Sequence, residues 1–292
     1  MKRRDLYFVL FVTLSFGLFW THLSTLVSQA LQYDHYSHIL VVPVISAGFI
    51  YWIDRNKIFR NVRPCLRGAA LLFALAAGLY WFAQRHSPVS TSGYFPLAIL
   101  SIVFFWMAGF LLFYGPQAFR ASAFPLSFLL LMVPFPEFAL AGIIHALQQG
   151  SADVSYVLFS MTGVPVFREG FFFTLPGLTI EVAEECSGIR SSIALFILCL
   201  LIGHLFLRSP SRKVALIVAA IPILLFKNAV RIVTISLLSI YVSRDFLTGS
   251  LHKSGGVLFF LLGLLILIPL IRLLERSENK LAPGNRRDIA GC

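Results

Sequence analysis

The chain has 292 residues, enough by length for two soluble domains, but 58% of them are hydrophobic and only 13% charged, with a mean hydropathy of +0.83. That composition excludes a soluble globular protein and defines an integral membrane protein. The net charge of +11 raises nucleic acid as a partner, yet most of the basic residues fall in alternate segments between and beyond the apolar runs, where anionic lipid accounts for them.

Apolar runs of about 20 residues or somewhat fewer, the length a bilayer requires, occur at 6–28, 38–53, 69–84, 94–114, 122–147, 189–207, 213–243 and 255–274. They predict an all-α integral membrane protein of about eight transmembrane helices. The first run follows Met1-Lys2-Arg3-Arg4 but is too long for a signal peptide's apolar stretch and lacks a small-x-small cleavage site, so it reads as a retained helix. Two runs depart from a plain span: 38–53 is short and holds Pro43, and 122–147 is broken by Pro134-Phe135-Pro136.

Residues 137–161 read as a helix of moderate polarity, carrying Glu137, His145, Gln148, Gln149 and Asp153. They fit either an interfacial helix or a fifth span that ends in a loop. The segment 148–188 is the longest stretch outside a clean span and is expected to be external. Within it, 163–177 alternates turn residues with short aromatic, β-prone runs, which predicts a short hairpin or re-entrant element. The membrane domain is expected over 1–276, followed by a polar, disordered cytoplasmic tail at 277–292.

Charge gives the orientation. Most Lys and Arg fall on alternate loops: Lys2, Arg3 and Arg4; Arg55, Lys57, Arg60, Arg63 and Arg67; Arg120; Arg208, Arg212 and Lys213; and Arg272, Arg276, Lys280, Arg286 and Arg287. By the excess of basic residues on cytoplasmic loops, both termini are inside. The outer side retains Arg85, Arg168, Arg190, Arg244 and Lys253, while Lys227 and Arg231 fall within a span.

This topology brings three reactive groups to one depth. Cys186, in Glu184-Glu185-Cys186-Ser187-Gly188-Ile189-Arg190, opens the sixth span at its outer end. Arg231 lies eighteen residues beyond Lys213, where the seventh span starts inside, roughly 27 Å up a helix against a hydrocarbon core of about 30 Å. His252 is in the outer loop before the eighth span. Thiol, guanidinium and imidazole at one membrane face fit cysteine acyl transfer.

Each group also has a plainer reading. Cys65 and Cys292 are expected on the cytoplasmic side, and Cys199 is thirteen residues down the same helix, about 20 Å from Cys186 against a disulfide limit near 7 Å. Cys186 is therefore an unpaired thiol facing an oxidising compartment, either buried or used. A helix N-terminus and Arg190 favour its thiolate, while Glu184 and Glu185 oppose it. Arg231 fits a functional intramembrane charge or an arginine that snorkels or pairs with Asp245 or Glu185. Asn228, one turn before Arg231, is placed to orient it. A loop histidine such as His252 is ordinarily just solvated, and His38 reads as a helix-end histidine or an auxiliary group near the outer face. The histidines show no zinc-ligand spacing, so no metal or cofactor is expected.

With Glu-Glu-Cys-Ser-Gly-Ile-Arg-Ser-Ser at 184–192, Asn228-Ala229-Val230-Arg231 and His252-Lys253-Ser254-Gly255-Gly256, the chain resembles the exosortase/archaeosortase family of membrane transpeptidases. The resemblance extends to Tyr36-Ser37-His38 with Pro43, to Leu131-Met132-Val133-Pro134-Phe135-Pro136 and to Gly163-Val164-Pro165-Val166, so it covers most of residues 30–270. Ile39 departs from it where family members often have glycine. The resemblance implies Cys186, Arg231 and His252 as catalytic residues, with Asn228, Arg190, Glu185 and His38 as auxiliary ones. It implies, as partners, exported proteins bearing a short Pro-Glu-Pro-like motif, one transmembrane helix and a basic tail, and a lipid or glycan acceptor. The implied site is the periplasmic face of a bacterial inner membrane. A transporter would also place Lys227 and Arg231 inside a bundle, but it has no use for an exposed nucleophile and usually shows repeated halves, and the sequence shows no internal repeat. An acyltransferase or a scaffold of an envelope-polysaccharide system remains open as well.

Overall fold

The computed structural model describes residues 3–59, 62–86, 94–183, 188–247 and 256–281. Among them, six helical segments are long and apolar enough to cross a membrane, or up to eight if each of two bent helix pairs counts as one span. The all-α membrane class expected from composition is therefore what the chain forms. The contacts divide it into two compact units, residues 1–140 and 141–292, each described by itself.

In the first unit, α1 (Arg3–Leu18) and α2 (Trp20–Gln32) replace the single first span, bent by 83° at Phe19. A 3-10 turn (Asp34–Leu40) then leads into α3 (Val42–Gly48), which ends in a π-turn (Phe49–Ile53). Pro43 falls in the first turn of α3, where its missing N–H leaves no helical bond unmade, so the short second run survives as a span. A single turn, α4 (Arg55–Ile58), precedes the hairpin of α5 (Leu66–His86) and α6 (Phe95–Ala121).

The helix α6 is not continuous. Gly115 has φ 80° and ψ 178° and Pro116 follows, so the regular span ends where the apolar run predicted, at 114. Phe11 of α1 stacks on Phe105 of α6 and meets Phe73 of α5 edge-on, with ring centroids 5.0 and 6.1 Å apart. Buried polar groups are paired across the same helices: Trp106 Nε1 donates to Ser15 Oγ at 2.7 Å, and Tyr114 donates to Asp5 at 3.1 Å. The fifth run is divided as its prolines predicted, into α7 (Ala123–Phe128), a 3-10 turn (Leu129–Met132) and, past the break, α8 (Glu137–Met161).

In the second unit, α8 leads into a three-stranded antiparallel meander: β1 (Phe167–Glu169), β2 (Phe172–Leu175) and β3 (Leu178–Glu181). The expected hairpin thus gains a third strand, because Pro176-Gly177 turns the chain again, pairing Leu175 with Leu178. Alternation along β2 buries Phe173 and Leu175 against Ala152 and Phe159 of α8 and Val233 of α10. Arg168 fixes the edge, with an ion pair to Asp153 at 2.7 Å and its guanidinium over the Phe173 ring.

The remaining helices are α9 (Ile189–Phe206), α10 (Pro210–Tyr241) and α11 (Gly256–Leu281). They pack mutually through Leu195 and Cys199 of α9, Leu216, Ala220 and Ile223 of α10, and Leu267 of α11. The predicted tail begins too early, because α11 continues through Leu281, and residues 282–292 lie outside the described residues. The reason is tertiary: Glu278 accepts the Ser209 and Arg208 N–H groups at 2.5 and 3.0 Å, just before α10, and pairs with Arg212 at 3.3 Å. Arg212 also donates to the Ser277 carbonyl at 3.1 Å. The carboxylate thereby satisfies donors at a helix start that would otherwise need water. Glu278→Ala is expected to lower the melting temperature of the solubilised protein, with Glu278→Gln intermediate because its amide oxygen still accepts. Melting of the Ala variant at the parent temperature would show that the anchor carries no stability.

Candidate active site

Of the expected catalytic residues, Arg231 is within the described residues; Cys186, with its neighbour Glu185, and His252 lie outside them. The site's framework is nevertheless visible, because the chain is described again from Gly188, two residues past Cys186.

Gly188 opens α9 with φ 72°, a left-handed conformation that side chains rarely tolerate. It is also closely approached: a Cβ there would stand 2.8 Å from Asn228 Oδ1 of α10. Asn228 is 2% exposed and its Nδ2 donates to Ser151 Oγ of α8 at 2.9 Å. This single side chain thus ties the start of α9 to α10 and α8. The sequence reading gave Asn228 the task of orienting Arg231; the geometry shows it packed on the turn that follows Cys186.

Next to it, Lys227 is also 2% exposed. Its Nζ donates to Ser191 Oγ at 2.5 Å, and Ser191 Oγ donates in turn to the Gly188 carbonyl at 3.0 Å. The same carbonyl accepts the Ser192 N–H at 2.9 Å, the first helical bond of α9. Lys227, Asn228 and Arg231 fall within just over one turn of α10, so the half-buried Arg231 lies one turn beyond the two side chains that hold the Gly188 turn. Arg190, expected to support the thiolate, is exposed on the first turn of α9.

The strand leading toward Cys186 is anchored as well. Gln148 of α8 donates to the Val182 carbonyl, and the Val182 N–H donates to the Phe171 carbonyl at 2.9 Å. Both flanks of residues 184–187 are therefore fixed by α8 and α10. Sequence reasoning did not find Ser151, Gln148 or Ser191. Ser151 and Gln148 read as ordinary polar residues of a moderately polar helix, and only their burial, 0% and 6% exposed, reveals their task.

His38 belongs to the first unit, half-buried in the 3-10 turn. There the neighbouring Tyr36 donates to the Phe135 carbonyl at 3.4 Å, which joins the Tyr36-Ser37-His38 and Pro134-Phe135-Pro136 motifs beside a cleft of about 170 Å³. Cys65 and Cys199 are both free, and Cys199 is enclosed in the core of the second unit. Among the described residues, no group of three or more His, Cys, Asp or Glu side chains is placed to hold a metal.

Apolar helices of spanning length, together with a buried amide, ammonium and hydroxyl gathered where one of them begins, define a multi-pass membrane protein with an intramembrane polar node. Comparison with known families identifies it further: residues 29–269 match the family described as Transmembrane exosortase (Exosortase_EpsH). The match covers most of the chain, which belongs to that family. Comparison with curated proteins and with solved structures gives no match.

Proposed function

We propose that the protein is a membrane cysteine protease/transpeptidase that cleaves C-terminal sorting signals of exported proteins through a thioester on Cys186. The observation that supports this reading is the packing of Asn228 and Lys227 on Gly188 and Ser191, because it sets α10, one turn before Arg231, against the start of α9, two residues along the sequence from Cys186. Family membership supports it independently.

In the proposed reaction the Cys186 thiol gives its proton to His252, and the resulting thiolate attacks the peptide carbonyl beside the sorting motif. The tetrahedral oxyanion is stabilised by Arg231, a fixed cation in a partly dehydrated site. Collapse breaks the C–N bond, His252 returns the proton to the leaving amine, and the carbonyl carbon remains bound to sulfur. An amine or hydroxyl of a lipid or glycan acceptor then resolves the thioester and regenerates the thiol. The substrate's own transmembrane helix and basic tail set the depth of its motif, with the enzyme in a bacterial inner membrane, both termini inside and the site facing the periplasm.

Cys186→Ala tests the reading. Co-expressed with a protein carrying such a sorting signal, it is expected to leave the precursor at full length and in the membrane. Processing at the parent level would end the enzyme assignment.

A further inference from the structure

We propose that Lys227 is a positioning residue for Cys186, acting through Ser191 and the Gly188 carbonyl; this rests on the proposed function for its consequence in catalysis. Lys227 is 2% exposed on a membrane-spanning helix, and enclosing an ammonium in a protein interior is costly unless its donors are used. Methionine would occupy the same channel without that cost.

The channel is built for the longer side chain. Gly263 of α11 faces the lysine stem, and a Cβ there would stand 3.4 Å from Lys227 Cδ and 3.7 Å from Leu195. The stem therefore passes between α9 and α11 to deliver its amine to Ser191 Oγ at 2.5 Å. With its one proton directed to the Gly188 carbonyl at 3.0 Å, the Ser191 hydroxyl accepts from Lys227 with a lone pair. An ammonium donor strengthens that second hydrogen bond by polarising the hydroxyl.

The chain of bonds ends on the residue whose backbone is least able to hold itself. Glycine has the widest conformational choice of any residue type, and Gly188, two residues after Cys186 in the sequence, is where α9 begins. Fixing its carbonyl fixes the direction in which the chain leaves α9. Asn228 braces the other side of the same residue, at 2.8 Å from where a Cβ would be. Lys227 thus acts on the thiol's position rather than on substrate, and the cation also stands one turn from Arg231.

The test uses full-length protein in which Cys186 is the sole thiol, through Cys65→Ser, Cys199→Ala and Cys292→Ser. In that background the rate of Cys186 alkylation by iodoacetamide is followed against pH, alongside kcat and KM for signal cleavage and the melting temperature. Lys227→Met is expected to lower kcat about tenfold with little change in KM, since a small misplacement of a reacting group acts on turnover. Its alkylation profile should move to higher pH. Ser191→Ala, which removes one oxygen and no charge, should reproduce most of both effects, and the double variant should be no worse than Lys227→Met alone.

Unchanged alkylation profiles in the folded variants would overturn the proposal. So would an effect of Lys227→Met that Ser191→Ala does not share, because the amine would then act as a bare charge. If Lys227→Met fails to fold, Ser191→Ala and Lys227→Arg decide the matter. Alkylation reads the thiol whether or not it performs the cleavage, so failure here is distinct from failure of the Cys186→Ala test.

Discussion

Gly115→Ala is expected to destabilise the protein more than any other added methyl group. At φ 80° and ψ 178°, Gly115 occupies a region open essentially to glycine alone, and a side chain held there costs about 1–3 kcal/mol in backbone strain. The added carbon would also stand 1.6 Å from the Arg63 carbonyl oxygen and 2.6 Å from its carbon. These are backbone atoms, so no rotamer change relieves the overlap and the segment before α5 has to move away from α6. The two effects together predict a loss above about 3 kcal/mol, in the range reserved for named structural faults. Helix content followed through thermal or denaturant unfolding in detergent would read it. Gly78→Ala is the control, because it lies within α5 with nothing within 4 Å of the new carbon; it should melt at or slightly above the parent temperature. Equal melting of the Gly115 and Gly78 variants would show that the α6 break is not rigidly held.

Hydropathy made the membrane helices legible because burial in lipid demands one property, apolar length, which a sequence displays directly. Proline placement located the break at 134–136 for the same kind of reason: a missing N–H is a local fact. At Gly115-Pro116 the sequence showed only that the apolar run ends at 114. The bend at Phe19 was not legible. Nothing at Phe19-Trp20 forbids a helix; at the bend Phe19 is buried against Tyr80 of α5 and Phe105 of α6, contacts no local window of sequence displays. The end of α11 was misread for a related reason: Ser277 and Glu278 look like tail until their partners 65 to 70 residues earlier are known.

The candidate site divides along the same line. Cys186, Arg231 and Asn228 were singled out because each is an unusual residue type for its place, and polar groups inside apolar runs attract a question. Gly188 and Ser191, in the Cys-Ser-Gly-Ile-Arg-Ser-Ser run, were written on the page without a task. Small polar residues are common at helix starts, and only the meeting of α9 with Lys227 and Asn228 gives these two a function. A positioning network is distributed over three helices, so no local window of sequence contains it.

Arg231→Lys is expected to remove most of the activity, although it keeps the charge. The oxyanion assignment depends on a planar fork of donors held in one orientation, whereas an ammonium is a compact, mobile point charge on a flexible stem. The substitution would also set two lysines at i and i+4 on α10, with Lys227 already committed to Ser191. Removing one preorganised oxyanion donor typically costs about 10²–10³ in kcat, and that is the loss predicted for Arg231→Ala, with KM nearly unchanged because the contact is made in the transition state. Arg231→Lys should fall close to the alanine variant rather than to the parent. The measurement is single-turnover cleavage of a sorting-signal substrate in reconstituted vesicles, with a melting curve to establish that each variant is folded. Near-parental turnover in Arg231→Lys would mean that charge alone suffices and the fork has no role. Near-parental turnover in Arg231→Ala would remove Arg231 from the chemistry and leave the oxyanion to backbone donors at the start of α9, where Gly188 directs the chain.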